Sequence, residues 1–453
     1  MEALHLEKEE LLLYLIKILK ENKRQEFQNL LEELQPYDIA ELYTSLPKKH
    51  HHKFILMSTP EQIALLLQEL DSEYLVEILQ KLGVEKASKI LDLMENDDLA
   101  DLLSELSIDK IDAYLKAMKA EESQTVQDLM SFPPDSAGGI MTDRFVWIRS
   151  YYTVREAIEK LKQFVSYAEN IYYLYVIDEN KKLVGVVSYR DLLLADSEDR
   201  IEDIMYTRVI SVPVDMDQEQ VAKIIERYDF IAVPVVDKEN RLLGIVTVDD
   251  VIDVMISETN EDFGKLSATG KAIDFRTTAW TASMRRLPWL VMLLLLGLLS
   301  GSVIAGFEET LEQVVALTFF MPMIAGMTGN TGTQSLAIVV RGLVSHDLDK
   351  NTVLRLILRE FGVGLIIGTV CGLLVSVLAF AWRGSFFLSL VVGCSLFLTL
   401  IIGTLAGTVI PLILYKLKVD PAVASGPLIT TLNDILSLLV YFGLATVFLS
   451  RLL

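Results

Sequence analysis

The sequence predicts a multi-domain protein with an all-α amino-terminal superhelix, an α/β pair of repeats and an all-α membrane domain of five transmembrane helices. Three observations support this fold class: net charge divides sharply along the chain, a middle segment repeats itself, and five long apolar blocks follow it. The expected bounds are 1–130 for the helical domain, 131–257 for the repeats (copies 135–198 and 199–257), 258–280 for a connecting helix and 281–453 for the membrane domain.

The acidic excess of the chain lies in its amino-terminal part. Residues 271–453 carry 12 basic and 9 acidic side chains, which leaves 29 basic and 53 acidic side chains for residues 1–270. Such a field repels nucleic acid and attracts cations, so we expect no nucleic-acid partner. A solvated acidic surface without a ligand is the alternative. No secretory signal opens the sequence, and we therefore expect the acidic part to be cytosolic.

Residues 1–130 show apolar positions at helical spacing, interrupted by Pro36, Pro47 and Pro60. Short helices with short turns predict a helical array that winds into a small superhelix. The run 48–53 contains three consecutive histidines. We interpret this run as a surface loop rather than a metal site, because no acidic or cysteine partner lies near it in the sequence.

The middle segment repeats itself, since "GVVSYRDLL" returns as "GIVTVDDVI" 59 residues later. The corresponding methionines, Met141 and Met205, lie 64 residues apart. The first copy therefore holds five extra residues, most simply around Ser166 to Tyr172. Self-similarity in a fixed order is typical of a tandem structural repeat.

The repeat resembles a pair of CBS motifs, which stack with nucleotide pockets between them. The resemblance rests on a hairpin glycine followed by Ser or Thr, two residues and Asp, here "SYRD" and "TVDD". The resemblance implies that the first copy binds the ribose and phosphate of a nucleotide, with aromatic rings that stack on its base. In the second copy Asp249 occupies the position of Arg190, and its negative charge disfavours phosphate binding there. The implied nucleotide-binding residues are Tyr173, Ser188, Arg190, Asp191 and Phe230. A purely structural pair without nucleotide is the alternative.

Five apolar blocks follow, each long enough to span a hydrocarbon core about 30 Å thick. The blocks are 286–306, 314–340, 356–381, 386–415 and 422–450. Eight basic residues flank these blocks on one side, whereas only Arg383 and Arg451 lie on the other. Positive charge marks the cytosolic side, so the amino terminus is inside and an odd number of spans puts the carboxyl terminus outside. We therefore expect a multi-pass protein of the cytoplasmic (inner) membrane.

Asp434 is a carboxylate in the middle of the last apolar block. An ionised side chain at the centre of a bilayer costs about 2.5–3.5 kcal/mol on insertion scales, so it usually faces water or a bound cation. The alternative is a helix that starts late and uses Asp434 as its N-cap near the headgroups. The second block contains polar groups around Asn330, which either line a cavity or accompany tight packing of small residues without a pore.

The order of acidic helical domain, CBS pair, connector and five spans resembles that of the MgtE family of magnesium channels, with "GNTGTQS" and "GPLITTLND" as the most specific parts. The resemblance implies a homodimer that holds hydrated Mg²⁺ in a pore at the subunit interface. The implied pore residues are Asp434, Asn330 and Thr431. The family often has Asn at the position of Thr333 and sometimes at Gly426, so pore contacts differ there.

The same resemblance implies a Mg²⁺ sensor, in which resting Mg²⁺ bridges acidic surfaces and holds the connector as a plug. Because divalent ions favour the arrangement that brings carboxylates together, they would shift a two-state equilibrium toward closure. The implied ligands are Asp97, Asp101, Asp217, Glu219, Asp229, Asp250, Asp253, Glu258, Glu261 and Asp262.

These inferences predict a Mg²⁺-selective channel that imports magnesium, is closed by intracellular Mg²⁺ and is modulated by ATP at the CBS pair. The alternative function is a membrane-anchored sensor of nucleotide or divalent cations that conducts no ions. We expect no enzymatic activity, because the sequence contains neither HExxH nor GxSxG and no second deep carboxylate is predicted beside Asp434.

Overall fold

A computed structural model describes residues 8–70, 72–104, 106–165, 167–269, 277–345 and 350–452. The chain divides between Met255 and Ile256 into two compact units. The first unit begins with the helices α1 (Lys8–Glu21), α2 (Arg24–Glu33), α3 (Pro36–Ser45), α4 (Lys48–Met57), α5 (Pro60–Gln68), α6 (Ser72–Leu82), α7 (Val84–Leu91), α8 (Asn96–Ser104), α9 (Ile108–Ala117) and α10 (Ala120–Leu129). The predicted helical array is confirmed.

The prolines that interrupt the apolar pattern mark the starts of helices. Pro36 and Pro60 are the first residues of α3 and α5, where a missing backbone N–H breaks no helical hydrogen bond. Thr59 caps α5 by accepting a hydrogen bond from the backbone N–H of Gln62 at 3.2 Å. The apolar faces of these helices meet in one core, in which Phe27 is fully buried.

The histidine run is part of a helix, and the surface-loop interpretation is wrong. It opens α4, and His51 is only 2% exposed. The His51 ring stacks on Tyr43 with a centroid separation of 4.3 Å, and its Nε2 lies 2.9 Å from the carbonyl oxygen of Leu46. His51 shares the buried face with Phe54 because residues three apart lie on the same side of a helix.

The repeat segment forms two three-stranded sheets with a common order of elements. Its elements are β1 (Phe145–Arg149), α11 (Val154–Phe164), β2 (Asn170–Ile177), β3 (Leu183–Ser188), α12 (Tyr189–Leu194), α13 (Ile201–Ile204), β4 (Val212–Pro213), α14 (Gln218–Tyr228), β5 (Ala232–Val236), β6 (Leu242–Thr247) and α15 (Val248–Leu266). In each sheet the second strand pairs parallel to the first and antiparallel to the third. The predicted α/β repeat is confirmed.

The two copies interlock through their glycines and methionines. A Cβ atom on Gly185 would lie 2.6 Å from Sδ of Met205, and one on Gly244 would lie 2.9 Å from Sδ of Met141. Each hairpin glycine therefore leaves room for a methionine from the segment that leads into the other copy. This mutual packing explains why the two methionines and the two glycines recur together in the sequence.

The extra residues of the first copy lie where the sequence predicted them. Tyr173 is equivalent to Ala232, since each pairs with the last residue of the following strand. Eight residues separate Phe164 from Tyr173, whereas three separate Tyr228 from Ala232. Among the described residues, the additional length lies between α11 and β2 and at the start of β2.

The second unit is helical after the end of α15. Its elements are α16 (Ala279–Gly306), α17 (Glu308–Gln313), α18 (Leu317–Ser345), α19 (Lys350–Arg383), α20 (Phe386–Lys416), a 3-10 turn (Pro421–Val423), α21 (Gly426–Val447) and α22 (Leu449–Leu452). Among the described residues, four helices are long and apolar enough to cross a membrane, namely α16, α19, α20 and α21.

Helix α18 is the exception, although it is 29 residues long and continuous through Pro322. The polar stretch "MTGNTGTQS" interrupts its apolar surface, and α18 is not among the four apolar helices. The expectation of five spans is therefore not confirmed and stays a proposal. The helices pack closely through small residues: a Cβ on Gly368 of α19 would lie 2.8 Å from the carbonyl oxygen of Phe397 on α20.

Candidate functional sites

Asp434 lies more than two turns inside α21. The helix begins at Gly426, and its N-cap is Ser425, so the interpretation of Asp434 as an N-cap is wrong. Oδ1 of Asp434 is buried and has no hydrogen-bond partner among the described residues. A carboxylate oxygen held away from solvent without a donor is available to a cation or to the water shell of one.

The other two predicted pore residues also keep oxygen atoms available. Thr431 donates its hydroxyl hydrogen to the carbonyl oxygen of Pro427, 2.9 Å away in the same helix. That hydrogen bond leaves the lone pairs of the Thr431 oxygen free to accept hydrogen bonds from a hydrated ion. Asn330 is on the exposed face of α18. A neighbouring amide, Asn433, is fully buried, and its Oδ1 has no partner within the described chain.

The glycines of "GNTGTQS" serve helix packing, as the packing alternative expected. A Cβ on Gly332 would lie 1.9 Å from Nδ2 of Asn433 in α21, and one on Gly329 would lie 2.8 Å from Cγ2 of Thr430. The amides of Asn330 and Gln334 are exposed on the same helix. One face of the motif, which carries the glycines, therefore packs against α21, and the face that carries Asn330 and Gln334 is exposed.

The last turn of α15, in the first part of the predicted connector, packs beside the start of α21 within the second unit. Nζ of Lys265 lies 2.6 Å from Oδ2 of Asp420 and 2.7 Å from Oε1 of Glu261. Leu266 packs against an apolar cluster that includes Ile429 of α21. Burial, followed by the charge of Asp420, raises the pKa of Asp262. Two predicted metal ligands of the connector, Glu261 and Asp262, are therefore close to Asp420 and its lysine partner.

Three carboxyl groups of the first unit form a compact cluster. One oxygen from each of Asp97, Glu169 and Asp250 lies within 4.8 Å of the others. Asp97 is in the first turn of α8, Asp250 is in the first turn of α15, and Glu169 is in the turn before β2. Oδ1 of Asp97 and Oε2 of Glu169 are buried without a hydrogen-bond partner among the described residues. Converging carboxylate oxygens are the ligands that hard divalent cations prefer.

The environment of this cluster favours protonated carboxyl groups while no cation is bound. Burial, reinforced by the charge of Glu169, raises the pKa of Asp97 to about 9. Burial likewise raises the pKa of Glu169 to about 8 and that of Asp250 to about 6. A divalent cation would remove the repulsion between the three carboxylates, so its binding would release protons.

We expect the affinity of the cluster for Mg²⁺ to increase as pH rises from about 6 to about 9, since protons on Asp97 and Glu169 compete with the cation below their raised pKa values. The measurement is a Mg²⁺ titration of protease protection of the first unit at several pH values. Glu169→Gln removes one competing proton and should flatten the pH dependence. An affinity that stays constant over this range would contradict the prediction.

The remaining predicted ligands of the first unit lie outside this cluster. Asp217 caps α14 by accepting a hydrogen bond from the backbone N–H of Glu219 at 3.0 Å. The carboxylate of Glu219 pairs with Lys223 at 3.6 Å, and Asp229 ends α14 with a left-handed φ of 53°. The other predicted ligands outside the cluster are Asp101 and Asp253 in the first unit and Glu258 in the second.

Glu169 was not predicted as a ligand. It lies within the five residues by which the first repeat exceeds the second, so the second copy has no counterpart. Its backbone N–H donates to the carbonyl oxygen of Arg144 at 2.9 Å, which fixes the turn that carries it. An acidic residue in an insertion specific to one copy was the available signal.

A cavity of about 560 Å³ lies between the two repeats. Tyr173 and Phe230, both predicted to stack on a nucleotide base, line it, and the rings of Tyr228 and Phe230 stack at 5.4 Å. Arg208 also lines the cavity and was not predicted. The volume suits a ligand of nucleotide size.

The "SYRD" residues lie beside this cavity rather than in its lining. Ser188 is the strand partner of Tyr173, and its hydroxyl donates to Oδ2 of Asp191 at 2.6 Å. The backbone N–H of Asp191 donates back to Oγ of Ser188 at 3.1 Å, which completes a capping box at α12. Arg190 is exposed. The motif therefore starts a helix next to the stacking residues.

Fold and sites together define a membrane protein that joins a part with long apolar helices to a part with a carboxylate cluster and a ligand-sized cavity. Known sequence families agree with this class. The MgtE family, described as a divalent cation transporter, matches residues 321–444; the MgtE intracellular N domain matches 34–135, and the CBS domain matches 137–198 and 201–257.

The chain belongs to the MgtE family. It is 54% identical over 444 residues to "Magnesium transporter MgtE" of Bacillus subtilis (strain 168), covering 98% of both chains. It is 38% identical over 449 residues to the protein of the same name from Thermus thermophilus, covering 97% of this chain and 99% of that one. The predicted family resemblance is confirmed.

Solved structures of related proteins match the first part of the chain. The crystal structure of the soluble part of a magnesium transporter superposes with a TM-score of 0.53 at 39% identity, covering 56% of this chain and 99% of that one. The cytosolic domain of the Mg²⁺ channel MgtE in complex with ATP superposes with a TM-score of 0.52 at 36% identity, covering 54% and 99%.

Proposed function

We propose that this protein is a Mg²⁺-selective channel that imports magnesium across the cytoplasmic membrane and closes when intracellular Mg²⁺ binds to its acidic part. The observation that carries the proposal is Asp434, a carboxylate inside an apolar helix with a buried oxygen that has no partner among the described residues. The magnesium transporters that resemble the chain over its whole length support the choice of ion.

The arrangement of basic residues supports α18 as the fifth span. If α18 crosses the membrane, the basic residues near the start of α16, at the end of α18, near the start of α19 and at the end of α20 all lie on one side. If it does not, Arg285 and Arg286 lie opposite Arg355 and Lys416. The positive-inside rule favours the first arrangement, with the amino terminus in the cytosol and the carboxyl terminus outside.

A homodimer would complete the pore. One carboxylate is a weak site for a divalent ion, whereas two copies of Asp434 facing one axis would hold hydrated Mg²⁺ through its waters. Helix α16 supports a dimer, because none of its residues is buried in the single chain. Its apolar surface is available to lipid and to a second copy.

The connector would be the gate. The last turn of α15, which lies in the connector, packs beside the first turn of α21, and Lys265 holds it to Asp420. A Cβ on Gly426, the first residue of α21, would lie 3.7 Å from the carbonyl oxygen of Leu266. Mg²⁺ binding by the acidic residues of the connector and of the Asp97 cluster would stabilise this closed arrangement.

Flux through the purified protein in liposomes tests the proposal directly. We expect external Mg²⁺ to enter liposomes that contain a Mg²⁺ indicator, and we expect little flux when the cytosolic face is exposed to millimolar Mg²⁺. A protein that binds nucleotide but gives no flux at any Mg²⁺ concentration would instead be a membrane-anchored sensor. Protein-free liposomes provide the baseline.

We also propose that ATP binds in the cavity between the repeats and modulates the channel. The ATP complex of a related cytosolic domain supports this ligand, and Tyr173 and Phe230 provide stacking surfaces. Asp191 and Ser188 beside the cavity would bind the ribose and its phosphate, with Arg190 and Arg208 as cations for the phosphates.

We expect Tyr173→Ala or Phe230→Ala to weaken ATP binding by about 1–3 kcal/mol, the usual contribution of a base stacked on an aromatic ring. Calorimetric titration of the full-length protein with ATP measures the change. Tyr172→Ala is the matched control, because Tyr172 is the adjacent residue of the same strand and its side chain is 60% exposed. Equal affinities for wild type and the two cavity variants would exclude this site.

A further inference from the structure

Glu360 is a buried carboxylate of the second unit that the pore description does not use. It lies in α19, one of the four apolar helices, and is only 2% exposed. Placing a charge inside an apolar span is unfavourable, so such residues usually have a function. Its role was not predicted from the sequence, because Glu360 directly follows Arg359 and the pair resembles a charged helix end.

Both oxygens of Glu360 are occupied by donors. Oε1 accepts hydrogen bonds from Nε and Nη2 of Arg359 at 3.1 and 2.8 Å. Oε2 accepts the hydroxyl hydrogen of Ser335 at 3.0 Å. Asp434 differs, since its Oδ1 has no donor among the described residues. Glu360 is therefore arranged to hold protein groups, and Asp434 is open to an ion.

Ser335 connects Glu360 to the polar segment of α18. Ser335 is 3% exposed and is the last residue of this segment, about one turn after Gly332. At the other end of the segment, the carbonyl oxygen of Thr328 accepts a hydrogen bond from Nδ2 of Asn433 in α21 at 3.4 Å. Polar contacts to two different helices thus fix both ends of the segment that carries Asn330 and Thr331.

Helix α18 also packs on α20 through glycines, and a contact of this kind does little to fix the rotation of α18. Gly332 packs against the backbone of Gly407 in α20, where neither residue has a side chain to interlock. Close packing of small residues lets two helices approach, but it resists rotation and sliding less than interdigitated side chains do. Hydrogen bonds at the ends of the contact then determine the rotation of α18.

We propose that Glu360, held by Arg359, is a positioning residue of the conduction path: through Ser335 it sets the rotation of α18 and thereby the placement of Asn330 relative to Asp434 and Thr431. The inference rests on the proposed channel function and deepens it. Glu360 does not contact the ion. Its carboxylate acts only through the Ser335 hydroxyl, and the two hydrogen bonds from Arg359 keep it oriented.

The test compares Ser335→Ala, Glu360→Gln and the double variant in liposomes. We expect each single variant to raise the half-saturating Mg²⁺ concentration and to reduce the preference for Mg²⁺ over Ca²⁺ several-fold, with a smaller change in maximal flux. The double variant should be no worse than the stronger single variant, because both changes break the same contact. A stability role alone would lower the amount of folded protein without changing ion preference.

Ser376→Ala is the matched control. The Ser376 hydroxyl, also in α19, donates to the carbonyl oxygen of Ser389 in α20 at 3.1 Å and leaves α18 untouched. Normal ion preference in Ser335→Ala would overturn the inference, even if Glu360→Gln failed to fold. Additive effects in the double variant would also overturn it. A wild-type protein without Mg²⁺ flux would instead refute the channel function itself.

Discussion

Asp434→Asn should reduce Mg²⁺ flux to the level of protein-free liposomes while leaving the fold and the oligomeric state unchanged. The substitution keeps the shape of the side chain and removes its charge, which is the attraction that a hydrated divalent ion requires. Because Oδ1 of Asp434 accepts no hydrogen bond from the described residues, replacing this oxygen by an amide group breaks no hydrogen bond to them. Mg²⁺ uptake by reconstituted protein, with size-exclusion chromatography of the same sample, gives both readouts.

Glu309→Gln is the control for a general effect of charge. Glu309 is exposed in α17, outside the apolar helices, and its substitution removes the same charge from the same unit. We expect it to retain most of the wild-type flux. Substantial Mg²⁺ flux through Asp434→Asn would show that the pore lies elsewhere. Loss of flux in both variants would indicate that any loss of negative charge from this unit reduces the attraction of Mg²⁺.

The parts of the fold that follow from periodicity were predictable from the sequence. Apolar spacing and prolines identified the helical array, because the preference of Pro for the first position of a helix is local and does not depend on contacts with other elements. The repeat was equally predictable, since Gly185 and Gly244 must both admit a methionine. His51 was wrongly interpreted, because its polarity suggested a loop while its position three residues before Phe54 put it on the buried face.

The candidate sites were less predictable, because they depend on contacts between distant residues. Asp97 and Asp250 were named through the family resemblance, whereas Glu169 joins them only because an insertion carries it beside two other elements. Glu360 was missed for a similar reason, since its partner Ser335 lies 25 residues away in another helix. Sequence spacing identifies residues on one element, and the packing of elements decides which of them meet.

The second large effect is expected at the carboxylate cluster, where Asp97→Asn combined with Asp250→Asn should leave the channel open at millimolar internal Mg²⁺. Removing two of the three carboxylates that lie within 4.8 Å removes most of the attraction for a divalent ion. We expect the internal Mg²⁺ concentration that halves the flux to rise by at least about tenfold, a common effect of changes around a metal site. Flux measured against internal Mg²⁺ gives this concentration.

The raised pKa values predict that the double variant does not lose its regulation through a loss of stability. The pKa values of Asp97 and Asp250 in the folded protein, about 9 and about 6, both lie above the ordinary aspartate value of 3.8. Their ionisation therefore destabilises the metal-free fold as pH rises through this range. Asparagine resembles the protonated carboxyl group, so the metal-free variant should be at least as stable as wild type at pH 8.

Asp191→Asn, assayed without nucleotide, is the matched control for the double variant. Asp191 occupies the position in the first repeat that Asp250 occupies in the second, and each carboxylate accepts a hydrogen bond from the hydroxyl three residues before it, Ser188 or Thr247. Only Asp250 belongs to the cluster. If Asp191→Asn shifts the Mg²⁺ response as far as the double variant does, the effect belongs to the repeat fold, and the cluster is not the sensor.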